Sequence, residues 1–516
     1  MEKYNKDILG EIIAKINKNT WLCFMSGIVI GIITHIYMLT NKLPNWDDIC
    51  GFAAYGSGDG HGRWMLKYLA NMAGSWSVPA LNGMIAIVLL AIASCFIYET
   101  LELKTVTSAI LIPAVMLTFP AVASMLTFMF TADMYGVAIL LSCIGTWMLQ
   151  KYRYGIVPAV ILFIISMGIY QSYICLAAGI LVFVLVKDLF QEKDMITVFK
   201  KGCIFLASLI VSMGTYVFIT KFIVGNLFSY RGIDKMGQIE VTQFPRLIAR
   251  AYKRILEYFV IKPWSFMSDF GHKINICIIL LIVILFFILI KDKYIYKDIK
   301  KTIFICILIL LEPMALAAVY IMVPDAENYS LLMLFQYFFI YIVAISLLEL
   351  FMEKEQKVRC ICGGLISIII LLVCYDNYVL TNSAYFRMDI ANKRILSFYE
   401  RLYNRIEEQE GYQIGDAIAI LGDYWPEKNI LSSYGIDMER YEEMEGIAME
   451  NGLFTSAVRE NYLKIYLGID APYPGLRESR EIMEKDIFIQ MPSYPAQESI
   501  KQIDGIWVVK IADIPK

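Results

Sequence analysis

Runs of about 20 apolar residues recur between residues 21 and 380, and this feature limits the possible folds more than any other. A helix needs about that many apolar residues to cross the hydrocarbon core of a bilayer. Hydrophobic residues make up 58% of the 516 residues and charged residues only 18%, whereas soluble domains have about a quarter charged. The chain is therefore predicted to be an integral membrane protein. Its net charge of −2 gives no reason to expect a nucleic-acid partner.

The length requirement predicts an all-α polytopic membrane protein with about eleven transmembrane helices. The spans are expected near 21–40, 80–98, 104–122, 126–148, 155–169, 171–187, 201–224, 275–291, 302–323, 328–350 and 358–380. The run 155–187 is interpreted as two helices that meet at a tip, Tyr170 to Tyr173, near the outer surface. A single tilted helix is the alternative for this run.

Lysine and arginine residues predict the orientation, because they are enriched in cytoplasmic loops. They cluster in the segments that lie inside if the N-terminus is cytoplasmic, and they are missing from the short turns near 123, 170 and 326. The outer loop 225–273 is basic, but Leu247, Ala251 and Ile255 repeat there at helical spacing. This pattern predicts an amphipathic helix on the membrane surface. The first loop, 41–79, and the C-terminus are then predicted to lie outside.

Residues 381–516 differ in composition from the membrane part, 1–380, because they are charged and soluble in character. A helix is predicted over 385–410, and strands are predicted at Ala417 to Leu421, Ile487 to Gln490 and Ile506 to Ile511. Alternating helices and strands indicate a small extracytoplasmic α/β domain.

Asp47 and Asp48 are the first candidates for chemistry, because they are adjacent carboxylates in the first outer loop. A carboxylate near a cleft can take a proton from an attacking hydroxyl group. Asn45 and the two aspartates are also good N-caps, since their side-chain oxygens accept hydrogen bonds from free backbone N–H groups. Both interpretations remain open at this point.

Cations and one more carboxylate near the membrane surface are further candidates. Arg63 and Lys67, just after His61, fall on one face of a predicted amphipathic helix that starts near Trp64. They face either a lipid phosphate or solvent. Asp133 lies at the start of the fourth predicted span, where an ionisable group is either functional or an N-cap.

Four features together resemble the GtrII-type glucosyltransferases of the GT-C class. They are the Asp-Asp pair after the first span, Gly62-Arg63-Trp64, Phe130 with Asp133-Met134-Tyr135, and Tyr170-Gln171-Ser172-Tyr173. The helix over 391–406, after the last span, also fits. The resemblance covers the membrane part, and its most specific elements are the acidic pair and the Gly-Arg-Trp sequence.

The resemblance implies an enzyme of the bacterial cytoplasmic membrane whose active site faces outside. It would move a hexose, typically glucose, from a polyprenyl-phosphate carrier to a cell-envelope glycan such as an O-antigen, wall polysaccharide or teichoic acid. Asp47 or Asp48 is then the expected general base of an inverting displacement. Arg63, Lys67 and Arg231 would stabilise the leaving phosphate, a role that developing charge requires.

The same resemblance suggests substrate contacts for His61, Asp133, Tyr170 and Gln171. Some GT-C enzymes bind a divalent metal such as Mg²⁺ or Mn²⁺ and others do not. If a metal binds here, the expected ligands are Asp47, Asp48 and Asp133.

Two other functions fit a chain with many spans. A transporter of lipid-linked glycans would show ionisable residues deep in its spans, and Glu312 is the main one here. A polysaccharide polymerase or ligase would rely on a later outer loop, which would be 225–273.

Overall fold

The computed structural model describes most of the chain and groups it into two compact units. The described residues are 16–50, 59–69, 74, 76–225, 227, 240–262, 264–323, 330–354, 356–422, 433–435, 437, 439–447 and 456–512. The first unit comprises Met1–Asn41 and Ala53–Asn382, and the second comprises Lys42–Phe52 and Ser383–Lys516. The short segment Lys42–Phe52, which carries both aspartates of the acidic pair, therefore groups with the C-terminal residues.

The secondary structure is predominantly helical. The helices before residue 200 are α1 (Lys18–Thr40), α2 (Trp46–Cys50), α3 (Leu66–Leu69), α4 (Met84–Thr100), α5 (Val106–Leu117), α6 (Pro120–Thr127), α7 (Met129–Lys151), α8 (Ile156–Ile169), α9 (Ile174–Phe190) and α10 (Met195–Ile219). The later helices are α11 (Phe244–Leu256), α12 (Asp269–Asp292), α13 (Ile299–Leu316), α14 (Val319–Met322), α15 (Phe339–Met352), α16 (Lys357–Glu407), α17 (Ser456–Leu467), α18 (Leu476–Met483) and α19 (Asp486–Gln490). The strands are β1 (Ile418–Leu421), β2 (Ile500–Ile503) and β3 (Ile506–Lys510).

Within the described residues, eight helices are long and apolar enough to cross a membrane, or nine if the bent pair α5–α6 forms one span. The chain is thus a multi-pass membrane protein, but the predicted count of eleven spans is not confirmed. Helix α8 has only 14 residues, which makes it about 21 Å long, shorter than the roughly 30 Å hydrocarbon core. Helix α13 carries three charged residues, Lys300, Lys301 and Glu312.

Small residues allow the helices of the first unit to approach closely. A Cβ atom added at Gly27 of α1 would lie 2.9 Å from the Cβ of Ala91 in α4, and one at Gly31 would lie 2.7 Å from the Ile87 side chain. Close packing through small residues is typical of helices in membranes, where apolar burial gives no driving force between helices. Side chains on the other faces, such as Ile33 at 53% exposure and Phe287 at 65%, are available to lipid.

The predicted break in the run 155–187 is confirmed. Tyr170 ends α8 in an extended conformation, Gln171–Tyr173 forms a single 3₁₀ turn, and α9 begins at Ile174. Two helices therefore occupy this run, and the alternative of one tilted helix is wrong.

The second unit contains a three-stranded sheet with the order β1-β3-β2. Strand β1 pairs with β3 in parallel and β2 pairs with β3 in antiparallel fashion. Side chains alternate between the two faces of a strand. Ile420 and Val509 accordingly join a core with Phe398 of α16 and Tyr462 of α17, whereas Leu421 and Val508 join a separate core. Helices α18 and α19 contribute Ile482 and Phe488 to that separate core.

Three details of the C-terminal prediction were wrong. Residues 487–490 form part of helix α19 rather than a strand, because a four-residue apolar run has no periodicity that separates the two structures. Strand β2 was missed, although Asp504-Gly505 between Ile503 and Ile506 is a strong hairpin signal. The helix predicted from residue 385 is continuous with the last span, since α16 has 51 residues.

The amphipathic helix predicted in the loop 225–273 exists as α11, but its apolar face packs against protein. Leu247, Ala251 and Ile255 are buried, and α11 packs against α13 and α14. Arg250 donates hydrogen bonds from Nη2 to the carbonyl oxygens of Tyr320 (2.6 Å) and Val323 (3.1 Å). The expectation that the apolar face lies in the lipid surface is therefore wrong for these three residues.

Candidate active site

The segment 59–69 is docked onto helices of the first unit through backbone and amide contacts. Gly62 has φ = +71°, and a Cβ there would lie 2.6 Å from the Tyr216 hydroxyl oxygen. That hydroxyl donates to the carbonyl oxygen of Gly62 (2.9 Å). Gln171 Nε2 donates to the carbonyl oxygen of His61 (2.7 Å) and to the Tyr216 hydroxyl (2.9 Å). Only glycine fits at position 62, because both its backbone angle and its neighbours exclude a side chain.

Trp64 and Met65 complete the docking against the end of α8. The Met65 N–H donates to the carbonyl oxygen of Gly168 (2.8 Å), and a Cβ at Gly168 would lie 2.9 Å from the Trp64 ring. The predicted amphipathic helix from Trp64 onward is α-helical over Leu66–Leu69 in the described residues, and its predicted continuation through Met72 lies outside them. Trp64 itself precedes the helix and packs against Gly168.

Arg63 is the centre of an aromatic cluster. Its guanidinium carbon lies 4.6 Å from the ring centroid of Tyr170, and Nη1 lies 3.4 Å from the hydroxyl oxygen of Tyr135, as a long hydrogen bond. Tyr170 contacts both Tyr135 (4.9 Å between centroids) and Tyr173 (5.0 Å). Tyr135, Tyr170 and Tyr173 are all buried. The face of Tyr170 attracts the cation by a cation–π interaction, and the Tyr135 hydroxyl accepts from it.

Two buried hydroxyl groups next to this cluster have no hydrogen-bond partner among the described residues. They are the hydroxyls of Tyr173 and Ser172. Buried polar groups are normally hydrogen-bonded, so these two hydroxyls are available to a partner beyond the described residues, such as water or a ligand. Together with Arg63 they provide one cation and two hydroxyl groups around the turn Gln171–Tyr173.

His61 and Lys67 differ in their surroundings. Burial and the positive charge of Arg63 lower the pKa of His61 below its ordinary value of 6.5, so its imidazole is neutral at pH 7. The Lys67 side chain is exposed and lies 5.3 Å from the Tyr68 ring. Lys67 is therefore placed at the surface of this segment, whereas Arg63 is inside the cluster.

Asp133 is buried in the second turn of α7, which begins at Met129. Its carboxylate accepts a hydrogen bond from the N–H of Met134 (3.0 Å), and the Asn82 side chain lies within hydrogen-bonding reach. Residue 128 is the N-cap position of this helix, so the N-cap interpretation of Asp133 is wrong.

Asp47 and Asp48 belong to the second unit and have different environments there. The Asn45 side chain accepts a hydrogen bond from the N–H of Asp48 (2.9 Å), so Asn45 caps α2 and both aspartates lie in its first turn. Asp48 is buried at 1% exposure and forms an ion pair with Lys42. Asp47 is only partly buried. Of the two carboxylates, Asp47 is therefore the more exposed.

The replacement Asp48→Asn should destabilise the second unit, because it leaves the Lys42 ammonium next to a neutral amide in a buried position. We expect a loss of about 1–3 kcal/mol and a fall of a few degrees in the apparent melting temperature of the purified protein. Asp47→Asn, at the adjacent and more accessible position, is the matched control and should change the melting temperature by less than a degree. Equal melting temperatures for the two variants would contradict the assignment of Asp48 to a structural ion pair.

The prediction that Asp47, Asp48 and Asp133 would be the ligands if a metal binds stays a prediction. No three histidine, cysteine, aspartate or glutamate side chains in the described ranges come together in a way that could hold a metal ion. Asp48 is paired with Lys42, and Asp133 accepts from Met134 N–H.

Sequence analysis identified Arg63, Tyr170 and Gln171, and the structure brings these three together. It did not identify Tyr216 as a site residue, and Tyr135 and Tyr173 appeared only as parts of motifs. Tyr216 lies within the apolar helix α10, and the sequence around it has no pattern that would indicate a functional residue. Arg231, the remaining predicted cation, lies outside the described residues.

Comparison with known proteins supports the motifs described above. The sequence profile of the family described as Glucosyl transferase GtrII matches residues 36–343, which is more than half of the chain. This range includes the acidic pair, the arginine cluster and Asp133. No curated protein and no solved structure matches the chain. The protein therefore belongs to the GtrII glucosyltransferase family and is a membrane glycosyltransferase.

Proposed function

We propose that the protein transfers a hexose, typically glucose, from a polyprenyl-phosphate carrier to a cell-envelope glycan at the outer face of the bacterial cytoplasmic membrane. Nucleotide sugars are not supplied outside the cell, so an outward-facing transferase needs a donor that is delivered by lipid. The observation that supports this proposal best is the Arg63 cluster. It places a partly buried cation beside two buried hydroxyl groups that have no hydrogen-bond partner among the described residues.

The Arg63 cluster has the properties that a lipid phosphate requires. A guanidinium group is always charged and presents several N–H donors that match phosphate oxygens. Tyr135 and Tyr170 fix its position before substrate binds. A fixed cation in a partly desolvated place stabilises developing negative charge better than a mobile, hydrated one. Arg63 is therefore assigned to the phosphate, and Lys67, which is exposed, is assigned no direct role.

The general base is assigned to Asp47. The acceptor hydroxyl oxygen attacks the anomeric carbon of the donor, and the bond from that carbon to the phosphate oxygen breaks. The electron pair of this bond leaves with the phosphate, whose charge Arg63 stabilises. The hydroxyl proton passes to the Asp47 carboxylate. A single displacement of this kind inverts the configuration at the anomeric carbon.

The role of Asp133 and of His61 is to shape the site rather than to transfer protons. Asp133 accepts from the backbone of its own helix, and His61 is neutral and bonded through its carbonyl to Gln171. Both residues are therefore assigned a positioning role. Asp133 acts through its contacts with Asn82 and α7, and His61 acts through the docked segment 59–69.

A donor comparison with the purified protein in lipid vesicles tests the proposal. Radiolabelled glucose should be transferred to an isolated envelope glycan from polyprenyl-phosphate glucose and not from UDP-glucose. The product should have the opposite anomeric configuration to the donor, as read by NMR. Transfer from UDP-glucose alone, or retention of configuration, would refute the proposed donor or the single displacement.

The basic loop 225–273 was the expected site of a polymerase or ligase, and the contacts of its helix α11 favour a structural role for that helix. Arg250 is bonded to two backbone carbonyls, and Arg254 forms an ion pair with Glu257 (3.0 Å). These contacts tie both guanidinium groups to partners within the protein. They supply no support for a substrate site on this helix.

A further inference from the structure

Helix α11 carries a high density of positive charge. Its 13 residues include four cations, Arg246, Arg250, Lys253 and Arg254, and no carboxylate. The carboxylate of Glu257 follows the helix directly and pairs with Lys253 (3.6 Å) and Arg254 (3.0 Å). Four positive charges and one negative charge leave a net charge of +3 over residues 244–257. Such a surface attracts an anionic neighbour.

The four cations fall into two groups. Arg250 and Arg254 are partly buried and contact the protein, through backbone carbonyls and Glu257 respectively. Arg246 and Lys253 are exposed, and the Lys253 side chain is 71% accessible. An ion pair as exposed as that of Lys253 contributes little. Two cations of α11 are therefore committed to the fold, and two face outward.

The exposed side of α11 is amphipathic in its own right. Arg246 and Lys253 are seven residues apart, so they lie on one line along the helix. Ala249 and Leu256 are both exposed, and they form a parallel line about 60° further round the helix. The exposed side thus has a cationic edge and an apolar edge. It is distinct from the apolar face that is buried against α13 and α14.

Contacts on both sides of α11 place it where apolar helices end. The Tyr252 hydroxyl donates to the carbonyl oxygen of Leu310, which lies in the last two turns of α13 and has an exposed side chain. Beyond α11, His272 Nε2 in the first turn of α12 donates to the carbonyl oxygen of Val260 (2.6 Å). Helix α12 is long and apolar enough to cross a membrane. Helix α11 is therefore positioned at the level of a membrane surface, beside the start of a span.

We propose that the exposed side of α11 binds the headgroup phosphates of anionic phospholipids. Arg246 and Lys253 contact the phosphates, and Ala249 and Leu256 contact the adjoining part of the acyl chains. A cationic edge next to an apolar edge is the pattern that a helix needs in the headgroup region of a bilayer. This inference goes beyond the proposed sugar transfer, because it uses neither Arg63 nor Asp47.

Other anions fit this surface less well. A single lipid-carrier phosphate is best held by fixed donors, and the two fixed guanidinium groups of α11 are tied to protein partners. A soluble polyanion would gain nothing from the exposed side chain of Leu256, which is 47% accessible. An open surface with both edges matches a leaflet of anionic phospholipid instead.

Photo-crosslinking of the full-length protein tests the proposal. The protein is placed in phosphatidylcholine nanodiscs that contain a small fraction of phosphatidylglycerol with a diazirine near its headgroup. After irradiation and digestion with pepsin, mass spectrometry measures the label on peptides from residues 244–257. The wild type should be labelled there. Unlabelled phosphatidylglycerol should compete, whereas further phosphatidylcholine should not.

The double replacement Arg246→Gln with Lys253→Gln should raise the phosphatidylglycerol fraction needed for half-maximal labelling about thirtyfold. Each cation near an anionic surface contributes about fivefold to the attraction, and this variant removes two. The charge-preserving exchange Arg246→Lys with Lys253→Arg should stay within about threefold of the wild type, because the attraction depends mainly on charge.

Lys464→Gln with Arg477→Gln is the matched control. It removes the same two charges from exposed positions of the second unit and should leave labelling of α11 unchanged. Both glutamine pairs should melt as the wild type does in a neutral detergent, since the replaced side chains are exposed. This measurement shows that the variants are folded.

Headgroup binding is refuted if the Arg246→Gln, Lys253→Gln variant is labelled as the wild type is, or if phosphatidylcholine competes as well as phosphatidylglycerol. Competition by inorganic phosphate would show a site for free anions instead. Displacement of the probe by polyprenyl phosphate at a lower fraction than by phosphatidylglycerol would show a site for the carrier, and would also overturn the proposal. None of these outcomes depends on sugar transfer, because no donor or acceptor is present.

Discussion

Replacing Arg63 by glutamine should lower the rate of sugar transfer about a hundredfold or more. The guanidinium group is the partly buried cation assigned to the leaving phosphate. Removal of one preformed stabiliser of transition-state charge typically has an effect of this size. Arg63→Lys should also be strongly impaired, because an ammonium group cannot stack on Tyr170 and donate to Tyr135 at the same time. Initial rates with a polyprenyl-phosphate sugar donor measure both effects.

A structural role for Arg63 would produce a similar loss, so the test needs a second readout. The unloaded carrier, polyprenyl phosphate, should inhibit the wild type as a product and should inhibit Arg63→Gln much more weakly. A variant whose segment 59–69 is merely displaced would lose turnover without this selective loss of phosphate affinity. Lys67→Gln is the control, because Lys67 is an exposed cation on the same segment and should remain within twofold of the wild type. Normal transfer by Arg63→Gln would refute the assignment.

Replacing Asp47 by asparagine should lower turnover by about 10²- to 10⁴-fold, the usual contribution of a general base. The amide cannot take the proton from the acceptor hydroxyl. Asp48→Asn should keep more activity than Asp47→Asn at a temperature where both are folded, because Asp48 is committed to the Lys42 ion pair. Measuring turnover with saturating donor and acceptor separates this effect from a loss of substrate affinity.

Azide distinguishes a missing base from a missing binding group. Azide attacks the anomeric carbon without a proton to remove, and the products are a glycosyl azide and the carrier phosphate. Added azide should therefore restore donor turnover in Asp47→Asn and should leave Arg63→Gln inactive, because its leaving group is still unstabilised. If azide restores neither variant, or restores Asp48→Asn instead, Asp47 is not the base.

The apolar runs of the sequence determined much of the membrane part. Helices form wherever backbone groups must be satisfied without water, so their existence and approximate bounds followed from composition. The break at Tyr170 was predictable as well, because Gln171 and Ser172 interrupt an apolar run. The Gly-Arg-Trp sequence and the acidic pair were sufficient to suggest the family before any contact was known.

The tertiary structure decided which of the candidate residues act together. Arg63 is fixed by Tyr135 and Tyr170, which lie 72 and more residues further along the chain, and no local periodicity encodes such contacts. Asp47 and Asp48 are indistinguishable in sequence, yet only Asp48 is buried against Lys42. Asp376 lies within an apolar helix, and only packing places Ser268 and Gly271 beside it. Local sequence determines helices because their hydrogen bonds are local, whereas a site depends on contacts between distant segments that only packing creates.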